Sequence, residues 1–324
     1  MRKQVTVAAV AVALLLSAAC SSSASSERAM RVAFVRPVPS QDGNAPFDQE
    51  LQASGFILGC NLQYVQDDPA AEVHVAPDDI RDAVEGWVAE GIDLIVAFSS
   101  SGAAIAADAA PRVPVLFLAN DPVAVGLVSD PARPDRNLTG VTFRIPADRT
   151  LHLARQAIPA LTTIGILEPS SDPAGPPARE AMVIAAEKAG MTSVIQTFSD
   201  QADIGRAMRS LHDQGADAIV VVNAPTSIRF LSVIEPAATA LRLPIIANTA
   251  RATGALLVLE PNVDELLGRL GRQAARLLAG ATTADIPVEH PTTFRVVLNS
   301  GVARDLGLPP LPIDLIRQAD LVLP

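Results

Sequence analysis

Short runs of β-branched and aliphatic residues alternate with longer stretches of helical period, and the alternation passes through the chain twice. The first series places strands at 31–35, 61–65, 93–97 and 113–118, with helices at 47–54, 77–90 and 102–109. After Asn137-Leu138-Thr139-Gly140-Val141 it restarts, with strands at 163–167, 192–198, 218–222 and 243–247 and helices at 178–189, 202–214 and 227–241. Strands separated by helices pair in parallel, because the intervening helix carries the chain back to the starting edge. The runs are apolar throughout rather than alternating, as expected when helices cover both faces of the sheet. Two such series predict an α/β protein with two Rossmann-like lobes.

A third section belongs wholly to neither lobe: extended at 254–259, helical at 263–279, extended at 294–298 and helical at 300–306. The chain is therefore expected to cross back and then across again. The N-terminal lobe is expected at 31–142 plus about 260–286, and the C-terminal lobe at 143–259 plus about 287–324. Apart from the short Pro-rich stretch Asp172 to Pro177, no segment of disordered composition separates the lobes. Several strands should form the hinge.

The N-terminus has the three parts of a secretory signal over 1–19: basic Arg2 and Lys3, an apolar run from Val5 to Leu16, and small residues Ser17-Ala18-Ala19. A permanent membrane helix needs roughly 20 apolar residues, so cleavage is the expectation. Small residues before Cys20, with the Ser-rich stretch 20–30 after it, look like a bacterial lipobox with Ser17 at its usual leucine position. Cys20 is then lipidated and the protein is held to the outer face of the cytoplasmic membrane by a short tether; ordinary signal cleavage that leaves Cys20 free or removes it is the alternative. Cys60, the other cysteine, is left without a partner, and its neighbours Phe56, Ile57 and Leu58 suggest a small packed hydrophobe.

With a formal net charge of −10 before the basic signal is removed, nucleic acid and anionic membrane are poor partners. His74, His152, His212 and His290 have no partners at metal-ligand spacing, so no metal is expected. Neither a phosphate-binding Gly-Lys-Ser/Thr motif nor a Gly-x-Ser-x-Gly elbow is present, and no cofactor or catalytic residue is expected. Gly268 and Gly271 lie inside a predicted helix, where close packing is their ordinary use.

Polar residues do recur at the carboxyl ends of the predicted strands, the place where open α/β sheets bind ligands. Ser99, Ser100 and Ser101 open a helix, where hydroxyls and free N–H groups suit an anion, although plain N-capping needs only one of the three. Asn120 and Asp121 precede Pro122, so Asp121 either accepts from a ligand or starts the turn. Arg36 follows the first strand and suits an acidic ligand or an interlobe contact. In the second series Ser170 and Ser171, Asn223 and Ala224, and Asn248 and Thr249 hold equivalent places. Glu260 and Asn262 fall where the chain returns through the hinge, and turn chemistry is their default role. Polar ends on both sheets favour a cleft between lobes.

The stretch Val113-Pro114-Val115-Leu116-Phe117, then Asp121-Pro122-Val123-Ala124-Val125-Gly126-Leu127-Val128, Arg133-Pro134 and Asn137 to Val141, resembles the TrpX-type ABC transporter substrate-binding lipoproteins. Similarity continues in Leu278-Ala279-Gly280, Ile286-Pro287-Val288-Glu289, Pro291-Thr292 and Leu306-Gly307-Leu308. The resemblance implies the type I periplasmic-binding-protein fold and capture of a small polar ligand, amino-acid-like or another small carboxylate, between the lobes. It implies permease subunits as partners and contacts from the strand-end loops named above. Two departures matter. Ser100-Ser101 stand where the family often has Thr-Pro, and Asn248-Thr249-Ala250-Arg251 lacks the acidic residue common in that loop. The lost carboxylate counts against an ammonium partner there, and the single Trp87 and single Tyr64 count against aromatic stacking.

A transport receptor that closes by hinge bending needs no catalytic residue. A sensor presenting its closed form to a membrane signalling partner is the alternative. An enzyme on the same scaffold ranks below both, and a transcription regulator last, since no helix-turn-helix precedes Arg31.

Overall fold

The computed structural model describes residues 28–39, 43–66, 68, 74 and 76–324. The expected signal, Cys20 and most of the Ser-rich stretch 20–30 lie outside them. Among the described residues no helix is long and apolar enough to cross a membrane.

The fold is α/β, as the alternation predicts, with two mostly parallel sheets. The first contains β1 (Met30–Val35), β2 (Leu62–Tyr64), β3 (Leu94–Ala97), β4 (Val115–Ala119) and β5 (Leu138–Thr142), in the order β2-β1-β3-β4-β5 with every pair parallel. Alternation sorts its side chains onto two faces. Ala33, Val35, Ile95, Ala97 and Phe117 pack on α2 (Pro77–Ala89) and α3 (Ser100–Ala109). Val32, Phe34, Leu94, Val96 and Leu116 face the other way, onto α1 (Ala45–Ala53) and α9 (Val263–Leu278).

That second face explains why the chain crosses back. The nine-residue α1 is too short to cover it, and α9 brings buried Leu266, Leu267, Leu270, Ala274, Leu277 and Leu278. The two helices meet closely at Gly271, where an added Cβ would stand 2.6 Å from the Phe47 carbonyl oxygen. Packing is therefore the role of this glycine; Gly268 has no comparable constraint, since its added Cβ would meet nothing nearer than 3.6 Å.

The second sheet is larger. It contains β6 (Thr163–Pro169), β7 (Thr192–Phe198), β8 (Ala218–Val221), β9 (Ile245–Ala247), β10 (Leu257–Pro261), β11 (Phe294–Asn299) and β12 (Leu321–Leu323), in the order β12-β11-β10-β9-β8-β6-β7. Only β10 and β11 pair antiparallel. Helices α4 (Ala147–Ala157), α5 (Gly175–Lys188), α6 (Gln201–Asp213), α7 (Pro225–Arg229), α8 (Leu231–Ala240), α10 (Ser300–Asp305) and α11 (Ile313–Ile316) complete this part.

Sequence periodicity missed α4, although Thr150, Leu151, Leu153, Ala154 and Ala157 bury one face of it. The expected single helix 227–241 is two, broken at Phe230, with Pro236 inside the second. Cys60 also departs from expectation. It is half-buried in the turn ahead of β2 rather than packed in the core.

Three chain segments cross between the sheets: 143–146, Asn262 and 286–293. They run side by side. Thr142 N–H donates to the Glu289 carbonyl at 2.8 Å, Glu289 N–H to the Gly140 carbonyl at 3.0 Å, and Asn262 N–H to the Thr293 carbonyl at 3.1 Å. The Asn262 side chain caps α9 by accepting from Glu265 N–H at 3.2 Å.

The Glu265 carboxylate then pins the third crossover to α9. It accepts from the backbone N–H groups of Thr292 at 3.1 Å and Thr293 at 2.9 Å, from both their hydroxyls, and from Arg269. Burial alone would raise its pKa, but these hydrogen bonds outweigh burial and hold the carboxyl well below the usual range. A depressed folded-state pKa contributes stability above the unfolded value of about 4.3, and that contribution is lost as pH falls toward the folded value. Glu265→Gln is therefore expected to flatten the decline of Tm between about pH 5 and pH 3 relative to the parent protein. Equal slopes in thermal melts would rule out a charge-dependent clamp.

Candidate ligand cleft

The carboxyl ends of both sheets face a common cleft with two cavities. The first, of about 600 Å³, is walled by Asn120 and Asp121 after β4, Arg144, Ile145 and Ala147 around the first crossover, and Asn223 and Asn248 after β8 and β9. Pro177, Ala178, Ala181 and Met182 of α5 give it an apolar side. The second, of about 1320 Å³, lies between Arg36 to Pro39, Phe98, Leu118, the loop Thr249 to Arg251, Glu260 to Asp264, Leu267 and Arg295.

In the first cavity the polar groups are only partly used by the fold. Asp121 accepts from Ala124 N–H at 3.0 Å, which shapes the turn around Pro122 and engages one carboxylate oxygen. Asn223 donates to the Asn248 carbonyl at 3.3 Å, and Asn248 to the Leu259 carbonyl at 2.9 Å. Those amide donors are spent on the loops. Their side-chain oxygens, and the second oxygen of Asp121, have no protein donor among the described residues. Exposed Arg144 stands on the same wall with no carboxylate partner among the described residues. Acceptors and one guanidinium thus share a single cavity.

The second cavity is held more firmly. Arg36 is 4% exposed, with its guanidinium carbon 3.8 Å from the Phe98 ring centre and 5.2 Å from that of Phe34, and it donates to the Asn44 side chain. Burial pulls its pKa down to about 10, against a smaller opposing pull from Tyr64, so it remains protonated at neutral pH. Glu260 is 6% exposed, paired with Arg295 at 2.8 Å, and accepts from Ala250 N–H at 2.5 Å. It ties the loop after β9 to the hinge strand. Arg251 of that loop donates to the Pro39 carbonyl, a direct contact between the loops of the two sheets. Thr249 Oγ1 accepts from Arg251 N–H at 3.3 Å.

Not every strand-end residue reaches these cavities. Ser99 caps α3 by accepting from Gly102 N–H at 3.0 Å; neither it, buried Ser100 nor exposed Ser101 lines either one. Ser170 donates to the Phe198 carbonyl at 3.1 Å along the edge of its own sheet, and Ser171 is exposed beside it, away from both cavities. Ala224 is wholly buried at the start of α7, while its neighbour Asn223 faces the cavity.

Sequence reasoning passed over Arg144. The rule that found the other residues applies to it, since it follows β5 by two residues. In the sequence the run ending at Val141 closes the first series, and Arg144 falls between it and the restart at 163, outside any expected strand end.

Residues 63–319 match the family described as ABC transporter substrate binding protein. A tyrosine-binding protein of Clostridioides difficile (strain R20291) is 25% identical over 278 residues, 84% of this chain and 78% of that protein. An ABC domain from Streptococcus pneumonia in complex with L-Trp superposes with a TM-score of 0.80 at 23% identity, covering 91% of this chain and all of the other. A conserved domain protein from Vibrio cholerae reaches 0.82 at 20% identity over the same shares. These solved structures have the type I periplasmic-binding-protein fold, and their likeness establishes the fold of this chain. The family match spans most of the chain and carries the stronger conclusion: this protein belongs to the ABC transporter substrate-binding proteins.

Proposed function

We propose that the cleft binds a free amino acid or a closely similar small zwitterion and delivers it to the permease of an uptake transporter. The observation that carries this is the first cavity, where Asp121 and two unengaged amide oxygens can accept from an ammonium while Arg144 can hold a carboxylate. Closing the lobes removes water from both contacts and favours the bound form. The side-chain end of the ligand meets Ile145, Ala178, Met182, Val220 and Val222, with no aromatic ring in that wall.

An aliphatic side chain is therefore favoured, although the relatives include a tyrosine-binding protein and an L-Trp complex. Calorimetry of the purified protein with L-leucine, L-valine, L-methionine, L-tryptophan, L-glutamate and glucose tests this. The expected result is a Kd of about 1 μM or tighter for an aliphatic amino acid and at least about tenfold weaker binding of tryptophan. Binding of glucose alone would overturn the reading.

We further propose that Cys20 is lipidated after signal cleavage, giving the extracytoplasmic location that the family implies a membrane tether. Cys20 and Cys60 are the only cysteines of the sequence, and one sulfur cannot hold both a lipid thioether and a disulfide. The mass of the mature N-terminal peptide from native membranes should show diacylglycerol on Cys20. A peptide disulfide-linked to Cys60 would exclude it.

A further inference from the structure

A third cavity lies on the flank of the hinge, next to the first cavity of the cleft. It measures about 1220 Å³ and opens beside two of the three crossovers, bounded by Arg144 to Asp148 on one side and His290 and Pro291 on the other. Helix α5 forms its floor with Ala181, Ile184, Ala185 and Lys188, and Phe294 closes one end.

Its chemistry is unlike the rest of this acidic protein. Arg144, Lys188 and His290 line it against a single carboxylate, Asp148, and neither Arg144 nor Lys188 has an ion-pair partner among the described residues. Lys188 is the only lysine beyond Lys3. A cation in the last turn of a helix complements the helix dipole, which accounts for Lys188 alone. It does not account for Arg144 on the opposite wall, nor for Ile184, which stays 44% exposed between them.

We propose that this cavity is a second ligand site, for a small amphipathic carboxylate. The carboxylate lies between Arg144 and Lys188 and the apolar part covers Ile184 and Phe294. Arg144 lines both this cavity and the cleft, as do Ile145, Ala147 and Ala181, so the two sites are separated by one layer of residues. A single guanidinium cannot give its best geometry to two anions, so filling the flank site weakens the cleft's hold on a ligand carboxylate. That coupling rests on the cleft reading above; the flank site itself does not.

Lys188 supplies a probe that needs no cleft ligand. Acetylation of Lys188 by an N-hydroxysuccinimide ester, followed by peptide mass, is measured with hexanoate, hexanol or sulfate present. Hexanoate at about ten times its Kd is expected to slow labelling about tenfold, by simple occupancy. Hexanol and sulfate should each leave the rate within about twofold, since neither supplies both contacts. Ile184→Asp, a change at an exposed position, should abolish protection while the protein keeps its melting temperature. Absence of protection overturns the site, and equal protection by sulfate overturns its amphipathic class. In a second arm, saturating hexanoate should raise the Kd for L-leucine at least about threefold. Protection of Lys188 with an unchanged leucine Kd would overturn the shared use of Arg144, and failure of every amino acid of the calorimetric series to bind would overturn the cleft reading and leave the flank result standing.

Discussion

Arg144→Ala is expected to weaken L-leucine binding by roughly 30- to 150-fold while leaving the melting temperature within about 2 °C. The size follows from removing one charge-assisted contact to a carboxylate in a cleft that closes, about 2–3 kcal/mol. The unchanged stability follows from its exposure and lack of an ion-pair partner among the described residues. Asp121→Asn is the matching change on the ammonium side. It keeps an oxygen to accept from Ala124 N–H, so the turn survives and only the charge is lost. Calorimetry on both variants decides the point: unchanged leucine affinity in either removes that residue from the site, and unchanged affinity in both removes the cavity.

Gly140→Ala should have the opposite character, destroying stability before any binding can be measured. A Cβ at Gly140 would lie 2.1 Å from the Phe117 carbonyl oxygen and 2.6 Å from its nitrogen, both backbone atoms of the paired strand β4. No side-chain rotation relieves such a contact. Opening the β4–β5 pair would also displace the Gly140 carbonyl, which accepts from Glu289 N–H at 3.0 Å and the Gln273 side chain at 3.2 Å. A loss of about 4 kcal/mol or more is expected, against the ordinary range for a point change. Gly86→Ala is the control, because Gly86 lies exposed within α2 with nothing inside 4 Å of its added Cβ. It should gain about 0.5–1 kcal/mol. Urea unfolding followed by circular dichroism measures both, and a small effect at Gly140 would mean the strand pair can spread.

The two glycines share a letter in the sequence and differ only in what approaches them. This limit recurs across the chain. Alternation of strands and helices was legible because apolar runs and helical period are local signals, and they yielded the two-sheet α/β architecture. The extended run 294–298 was legible as β11, but its antiparallel direction and the three-residue edge strand β12 were not, since pairing is set by distant chain and three residues carry little periodicity. The break at Phe230 escaped notice because its neighbours on both sides are good helix formers.

At the site, chain position alone could nominate Asn120, Asp121, Asn223 and Asn248, because parallel strands deliver their carboxyl ends to one edge. It nominated Ser170 and Ser171 by the same rule, and the tertiary structure turns Ser170 to the Phe198 carbonyl instead. Arg144 became visible only when the crossover around it was placed against α5 and the loop after β4.

By itself, then, the sequence determined that this chain makes two layered α/β sheets with polar strand ends, both of which are written in local pattern. The tertiary structure decided which of those polar groups are spent on caps, turns and sheet edges and which stay unpaired around a cavity. Hydrogen-bond satisfaction depends on neighbours brought together from distant parts of the chain, as Glu260 with Ala250 and Arg295 shows, and no window of sequence contains them.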